Sequence, residues 1–364
     1  MAKKLAYDRV LFGTVALAVG FGLVMVYSAS AALARSETAG SPGFNPYVVK
    51  QVLAAALGLV AMGLAMHVDY RHLRRPAVVY TLLAGAVVLL VLVLYGPEIN
   101  GTHRWFRLGP VSVQPSELAK LALLPFVAYQ IDRKPDRVNQ PAVLVPVLAA
   151  TGTVLALILL QPDFGTAVLL LAAVLLVLFL AGLAWRFLAA GALVTLPLLA
   201  LLVLASDYRS RRLFAFLDPE ADPLGAGFQA RQSLIAVGSG GLFGLGPGGS
   251  VQKLNYLPHP HSDYVFAIAA EELGLLGAAA VLALFAVVLW RGIRAGAGAP
   301  DAFGRHLAWG LTGLLVIQAL IHVSVCLALA PSKGIPLPFI SYGGSSLVVS
   351  MTACGVLLNV SQHR

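Results

Sequence analysis

Asp263 closes a polar stretch, Gln252 to Asp263, that stands just ahead of a long apolar run carrying Glu271 and Glu272. A carboxylate at such a border can cap a helix, take up a proton or bind a metal ion. Spacing alone favours the cap, because Ser262 or Asp263 can accept from the first backbone amides of a helix that begins near Tyr264. Glu271 and Glu272 follow at a helical rise of roughly 12 Å. That is beyond the ~5–9.5 Å between paired carboxylates in glycoside hydrolysis, so chemistry at Asp263 has no partner on its own helix. The alternation His259, His261, Asp263 also offers imidazole and carboxylate ligands to a divalent cation such as magnesium or manganese. Pro258 and Pro260 predict an extended segment that would aim those alternate side chains the same way.

Other ionisable residues sit close to apolar runs, where a charge is costly and marks a pathway or a site. Glu117 and Lys120 are three apart on one helix face, where they can neutralise each other. They read equally well as a pair that only orients two helices. Asp163, in Gln161-Pro162-Asp163-Phe164, falls where a helix should begin and is an N-cap by position. Gly244-Leu245-Gly246-Pro247-Gly248-Gly249 satisfies the spelling of a dinucleotide fingerprint, but that fingerprint requires a preceding strand and a helix opening on the phosphate side, and Pro247 and the membrane setting argue against it. With Gly238 to Phe243 it reads as flexible backbone on a shelf open to close approach by a ligand. Cys326 and Cys354 lie in separate apolar runs and predict packing, with no disulfide framework.

The elements that carry these residues are spanning helices. Hydrophobic residues make up 59% of the chain, charged residues 11%, and the mean hydropathy is +0.85, whereas charged residues alone make up about 25% of a soluble protein. Runs of about 20 apolar residues place spans at 10–34, 47–66, 77–95, 116–131, 141–160, 166–184, 187–205, 264–290, 307–330 and 346–360. Their all-round apolarity excludes the alternating strands of a β-barrel. The first is too long for the core of a cleaved signal peptide. The fold expected is an all-α, polytopic membrane bundle of about ten transmembrane helices in one domain over 1–364, with a large outer loop at about 206–263.

An even number of spans puts both termini on one side. Fourteen of the 25 Lys and Arg fall on the side of the termini, among them Lys3, Lys4, Arg71, Arg74, Arg133 and Arg364. Long loops weigh little in orientation, and five of the remaining cations (Arg209, Arg211, Arg212, Arg231 and Lys253) sit in one. The termini are therefore cytoplasmic. The net charge of +9 is then topological and calls for no nucleic acid. Long loops rich in Gly, Pro and polar residues lie on the outer side and point to function there. Within the largest, Gly225 to Ile235 has the pattern of an interfacial amphipathic helix.

Several motifs assemble in order along the chain: Asn100-Gly101-Thr102-His103-Arg104-Trp105-Phe106, Gln114-Pro115-Ser116-Glu117-Leu118-Ala119-Lys120, Gln161-Pro162-Asp163-Phe164-Gly165-Thr166, the Asp263 segment with Glu271-Glu272-Leu273-Gly274, and Pro336 to Ser346 around Ser341. Together they resemble the SEDS family of shape, elongation, division and sporulation proteins over nearly the whole chain. Val26-Tyr27-Ser28-Ala29-Ser30 and Pro331-Ser332-Lys333-Gly334 are more similar to its FtsW-type division branch than to its RodA-type elongation branch. One departure is local: where the family commonly has Leu-Pro-Glu-Ala-His-Thr-Asp, this chain has Leu257-Pro258-His259-Pro260-His261-Ser262-Asp263.

The resemblance implies a ten-helix peptidoglycan glycosyltransferase that polymerises lipid II on the outer face of the bacterial cytoplasmic membrane. It works beside a class B penicillin-binding protein and other divisome or elongasome membrane proteins, and for this branch at the division septum. The family's catalytic aspartate falls on Asp263. Arg104, Glu117, Lys120, Asp163, His261, Lys333 and Ser341 are the positions expected at the substrate, with Arg104, Lys120 and Lys333 able to meet pyrophosphate charge. A lipid II flippase, for which Glu117 and Lys120 would line a route, is the competing expectation, and a recruiting scaffold the third.

Overall fold

Backbone amides and carbonyls buried in hydrocarbon have only each other to bond with, so long apolar runs fold as helices. The computed structural model describes residues 7–37, 45–99, 101–108, 111–218, 225–254 and 256–363. Seven helices precede the long outer loop: α1 (Arg9–Glu37), α2 (Pro46–His67), α3 (Pro76–Leu94), α4 (Pro115–Arg133), α5 (Pro141–Leu160), α6 (Phe164–Leu180) and α7 (Trp185–Leu204). The loop itself contains α8 (Asp207–Leu217) and α9 (Ala226–Ser239), and α10 (Val265–Ala297), α11 (Ala302–Cys326) and α12 (Gly344–Gln362) follow. Among the described residues 8 helices are long and apolar enough to cross a bilayer. The shorter apolar α6 and the charge-bearing α4 complete the ten expected spans. One short antiparallel pair departs from the all-helical expectation: β1 (Phe106–Leu108) and β2 (Val111–Val113), with Phe106 opposite Val113.

Local chemistry sets the helix starts. Pro46, Pro76, Pro115 and Pro141 open α2 to α5, at positions where the missing N–H would be unbonded anyway. Asn45 accepts from the amides of Tyr47 and Val48, and Asp301 from that of Gly304. Helices α4, α11 and α12 form the buried middle of the bundle. In contrast α7 buries none of its residues, as suits an apolar helix surrounded by lipid.

One end of the bundle is tied by ion pairs. Asp8 at the start of α1 receives Arg291 of α10 at 2.6 Å, and its amide donates to Ser361 of α12. Arg74 pairs with Asp132 at 2.7 Å, and the Tyr70 hydroxyl donates to Asp301. Asp8 at the start of α1, Ser361 near the end of α12 and the basic short connections therefore share one face, as the charge distribution predicts. Lys3, Lys4 and Arg364, counted on that face, and Asn100 and Asn255 of the outer motifs lie outside the described residues.

At the opposite end the glycine-rich segment corrects the expectation of an open shelf. Gly240 and Gly244 press against the backbone of Ala270 and Glu272. The amides of Leu245 and Gly246 donate to the carbonyls of Glu271 and Glu272, both at 3.0 Å, and Leu275 donates to Gly241 at 2.8 Å. These bonds replace helical ones that α10 loses at Gly274, whose φ of 66° breaks the helix. Here glycine serves close approach of chain to chain, and no ligand is needed to explain it. The two glutamates complete the fastening. Glu272 accepts from Lys253 at 2.7 Å and from Ser28 of α1 at 2.6 Å, and Glu271 accepts from Ser250 and from the amide of Val251.

With φ 66° and ψ −164°, Gly274 holds a backbone conformation that costs a side-chain-bearing residue about 1–3 kcal/mol, and a Cβ there would also meet the carbonyl of Leu242. Gly274→Ala is therefore expected to lower stability by at least that amount, read as a lower midpoint of thermal unfolding in detergent. An unchanged midpoint would show that the break is not required.

Candidate functional site

The stretch leading to Asp263 is a turn. His259 adopts a φ of 51°, and its carbonyl accepts from the amides of Ser262 at 3.1 Å and Asp263 at 3.0 Å. The two prolines do not hold it extended, because the residue between them enters the left-handed region and reverses the chain. The His259 and His261 rings stand edge to face, centroids 6.3 Å apart, but in different surroundings. His259 is exposed, whereas His261 is buried between Tyr47 and Tyr342, with ring centroids 4.7 Å and 5.1 Å away. Among the described residues no three His, Cys, Asp or Glu side chains converge as metal ligands, so the His259, His261, Asp263 metal site is not formed. Burial, and then the charge of His259, push the His261 imidazole down to about 4. The ring is neutral at pH 7 and serves packing; it does not line the cavity beside Asp263.

That cavity, about 180 Å³, is lined by Arg212, Gln229, Pro258, His259, Asp263, Tyr264, Ser332 and Lys333. Asp263 accepts from the Ser262 hydroxyl at 2.9 Å. Burial raises its carboxyl above the usual carboxylate range, opposed by the Ser262 hydrogen bond and by the charges of His259 and Arg212. Gly334 faces the carboxylate so closely that a Cβ would stand 3.3 Å from Oδ2, which lets the loop carrying Lys333 run directly past it. Burial lowers the Lys333 ammonium from the ordinary lysine range. Its Nζ lies 4.7 Å from the centre of the Phe164 ring, and Arg209 approaches the same ring at 5.7 Å. Arg212 donates to the carbonyl of Ser332 at 2.9 Å. A carboxylate held toward its neutral form beside two cations can take a proton from a hydroxyl while the cations hold an anion.

The remaining expected residues form a second group that does not line this cavity. Arg104 donates to the carbonyl of Gln161 at 2.6 Å. Asp163 caps α6 at the amide of Thr166 and accepts from Gln114 at 3.1 Å. Glu117 and Lys120, both buried, pair at 2.7 Å, and Lys120 also donates to Gln318 at 3.0 Å. The two groups meet at Phe164, which follows Asp163 in sequence and lies under Lys333. Ser341 acts on backbone: its hydroxyl donates to the carbonyl of Ser262 at 2.7 Å and accepts from the amide of Leu337 at 2.8 Å. Of the expected set, then, the fold brings Asp263 and Lys333 together and places Ser341 as a brace.

Arg212, Gln229 and Phe164 escaped the sequence reading. Arg209 and Arg212 were visible only as loop charge, yet they are three apart and share one face of α8. Recognising 207–217 as an amphipathic helix would have aimed both at one place.

A sequence-family profile for FtsW, RodA and SpoVE, described as "Cell cycle protein", matches residues 8–364. The probable peptidoglycan glycosyltransferase FtsW of Geobacter sp. (strain M18) is 42% identical over 366 residues, covering 99% of this chain and 98% of its own. Stage V sporulation protein E of Bacillus subtilis (strain 168) is 41% identical over 363 residues, covering 99% and 98%. Among solved structures, a chain from work on the structural coordination of polymerization and crosslinking by a peptidoglycan synthase complex superimposes with a TM-score of 0.80 at 36% identity, covering 98% of both chains.

Glu117 and Lys120 are buried, so removing one partner strands the other. Lys120→Met is expected to cost about 3–5 kcal/mol, whereas Glu117→Gln combined with Lys120→Met recovers most of it. Chemical unfolding of the three purified proteins checks this; equal losses in the single and double variants would contradict it.

Proposed function

The chain belongs to the FtsW/RodA/SpoVE family, and we propose that it polymerises lipid II through the cavity at Asp263. It is a multi-pass protein of the bacterial inner membrane and a peptidoglycan glycosyltransferase. Asp263 takes the proton from the sugar 4-hydroxyl of one lipid-linked disaccharide as that oxygen attacks the anomeric carbon of another. A carbon–oxygen bond forms, the bond to the phosphate oxygen breaks, and undecaprenyl pyrophosphate leaves with the electron pair. Pyrophosphate is a good leaving group, so one carboxylate suffices and no paired general acid is required. What the departing group needs is positive charge, which Arg212 and Lys333 supply in a site partly withdrawn from water.

The observation that carries this reading is the meeting of Asp263, Arg212 and Lys333 in a single cavity. Among the described residues Asp263 is the sole carboxylate lining it, together with the two cations. This donor set does not suit a resident magnesium or manganese ion, which prefers several oxygen ligands. A flippase finds less support, since Glu117 and Lys120 are occupied with each other and with Gln318. The likeness to a chain of a peptidoglycan synthase complex supports a class B penicillin-binding protein as partner, and the FtsW names of the relatives support action at the division septum.

The test reconstitutes the protein with such a partner, supplies lipid II with and without magnesium or manganese, and follows glycan strands on gels. Asp263→Asn is expected to lower the rate about 10²- to 10⁴-fold, the contribution of a positioned base; a wild-type rate would end the assignment. Because the base acts ionised and its carboxyl is shifted upward, the rate should fall with decreasing pH at a value above the ordinary carboxylate range. His259→Leu removes a charge that lowers that carboxyl, so its acid limb should move to higher pH. A limb that stays or moves down contradicts the electrostatic account.

A further inference from the structure

Three side chains on one stripe of α11, Gln318, His322 and Cys326, stand four residues apart, roughly 6 Å of helical rise at each step. Each reaches a backbone carbonyl of the two segments that enclose the cavity. The Gln318 amide donates to Pro336 at 2.8 Å, His322 Nδ1 bonds the carbonyl of Ile335 at 2.8 Å, and the Cys326 thiol points at the carbonyl of Asp263 at 3.8 Å. The stripe touches both the chain that carries the carboxylate and the chain that follows Lys333 and Gly334.

The orientation of each polar group follows from its partners. Lys120, a donor only, binds the oxygen of Gln318, which turns the amide nitrogen toward Pro336. Glu117 in turn holds Lys120 at 2.7 Å. A carbonyl can only accept, so His322 carries its proton on Nδ1, and its Nε2 is buried with no hydrogen-bond partner among the described residues. Burying that second nitrogen is unfavourable, and a leucine would fill an apolar bundle without this cost. The histidine therefore stands where a donor to Ile335 is needed.

We infer that Gln318 and His322 are positioning residues that fix Lys333 relative to Asp263. Glu117 and Lys120 act at one remove, as the clamp that orients Gln318. This assigns the buried pair in α4 a part in the site without contact to substrate. The activity arm of the test rests on the synthase reading, whereas the labelling arm does not.

In the labelling arm, Lys333→Cys is reacted with a membrane-impermeant maleimide; native Cys326 and Cys354 are buried and react slowly. Adding His322→Leu or Gln318→Met is expected to raise the labelling rate at position 333 about 10-fold. His322→Asn, whose amide nitrogen can replace Nδ1, should stay within about 2-fold. Unchanged labelling in both the leucine and methionine variants would overturn the inference. If His322→Leu does not insert stably, Gln318→Met gives the decision alone. In the activity arm, His322→Leu is expected to lower kcat about 10-fold when Lys333 is present and less than 2-fold in a Lys333→Met background. His322→Asn should restore most of kcat. Equal losses in both backgrounds would show a structural role that does not act through Lys333. A wild-type protein inactive toward lipid II would fell the synthase reading, and the labelling rates would still decide this one.

Discussion

Everything at the outer end of this protein depends on keeping one carboxylate partly out of water beside two cations. Withdrawal from solvent raises the affinity of Asp263 for a proton, and the charges of Arg212 and His259 pull it back. The net effect is a raised affinity for a proton, the property that the proposed base uses. Lys333 feels the same withdrawal in the opposite sense, so an incoming phosphate would relieve the cost of burying its charge. The proposed base and the proposed anion hold thus share one physical cause, partial burial of opposite charges in one cavity.

Such a balance requires that the backbone not drift. Asp263 lies on no regular element; it ends a turn pinned at the carbonyl of His259 and braced by Ser341. Lys333 lies on another irregular segment, bonded at Ser332, Ile335 and Pro336 by Arg212, His322 and Gln318. Two of these anchors, Gln318 and His322, sit on the buried α11, where Gln318 is held by Lys120 of the Glu117–Lys120 pair in α4, and the loop at Lys253 is held by Glu272 of α10. A charge in an apolar bundle persists when paired and fully bonded. The chain spends such pairs where loops must be held.

The spans and the orientation of the ends were legible because bilayer thickness and loop charge impose them on composition directly. Asp163 read correctly as a cap because capping is local. The error at His259 and His261 arose from a local rule applied where tertiary packing decides: Tyr47 and Tyr342 take His261 into an aromatic cluster, and the chain turns at His259. The glycine-rich shelf misled for a related reason, since nothing local says that Gly240 and Gly244 will lie on the break that α10 makes at Gly274. Arg212 and Gln229 join the cavity from two helices of the long loop, and their convergence with Lys333 is a fact of folding over more than 100 residues of chain.

The central claim is that pyrophosphate charge meets Arg212 and Lys333 while the attacking hydroxyl meets Asp263. A structure of the protein bound to undecaprenyl pyrophosphate tests this most directly. The account predicts phosphate oxygens within hydrogen-bonding distance of Arg212 and Lys333, in the cavity that Asp263 lines. Phosphates bound instead at Arg104 and Lys120, with the Asp263 cavity empty, would contradict it.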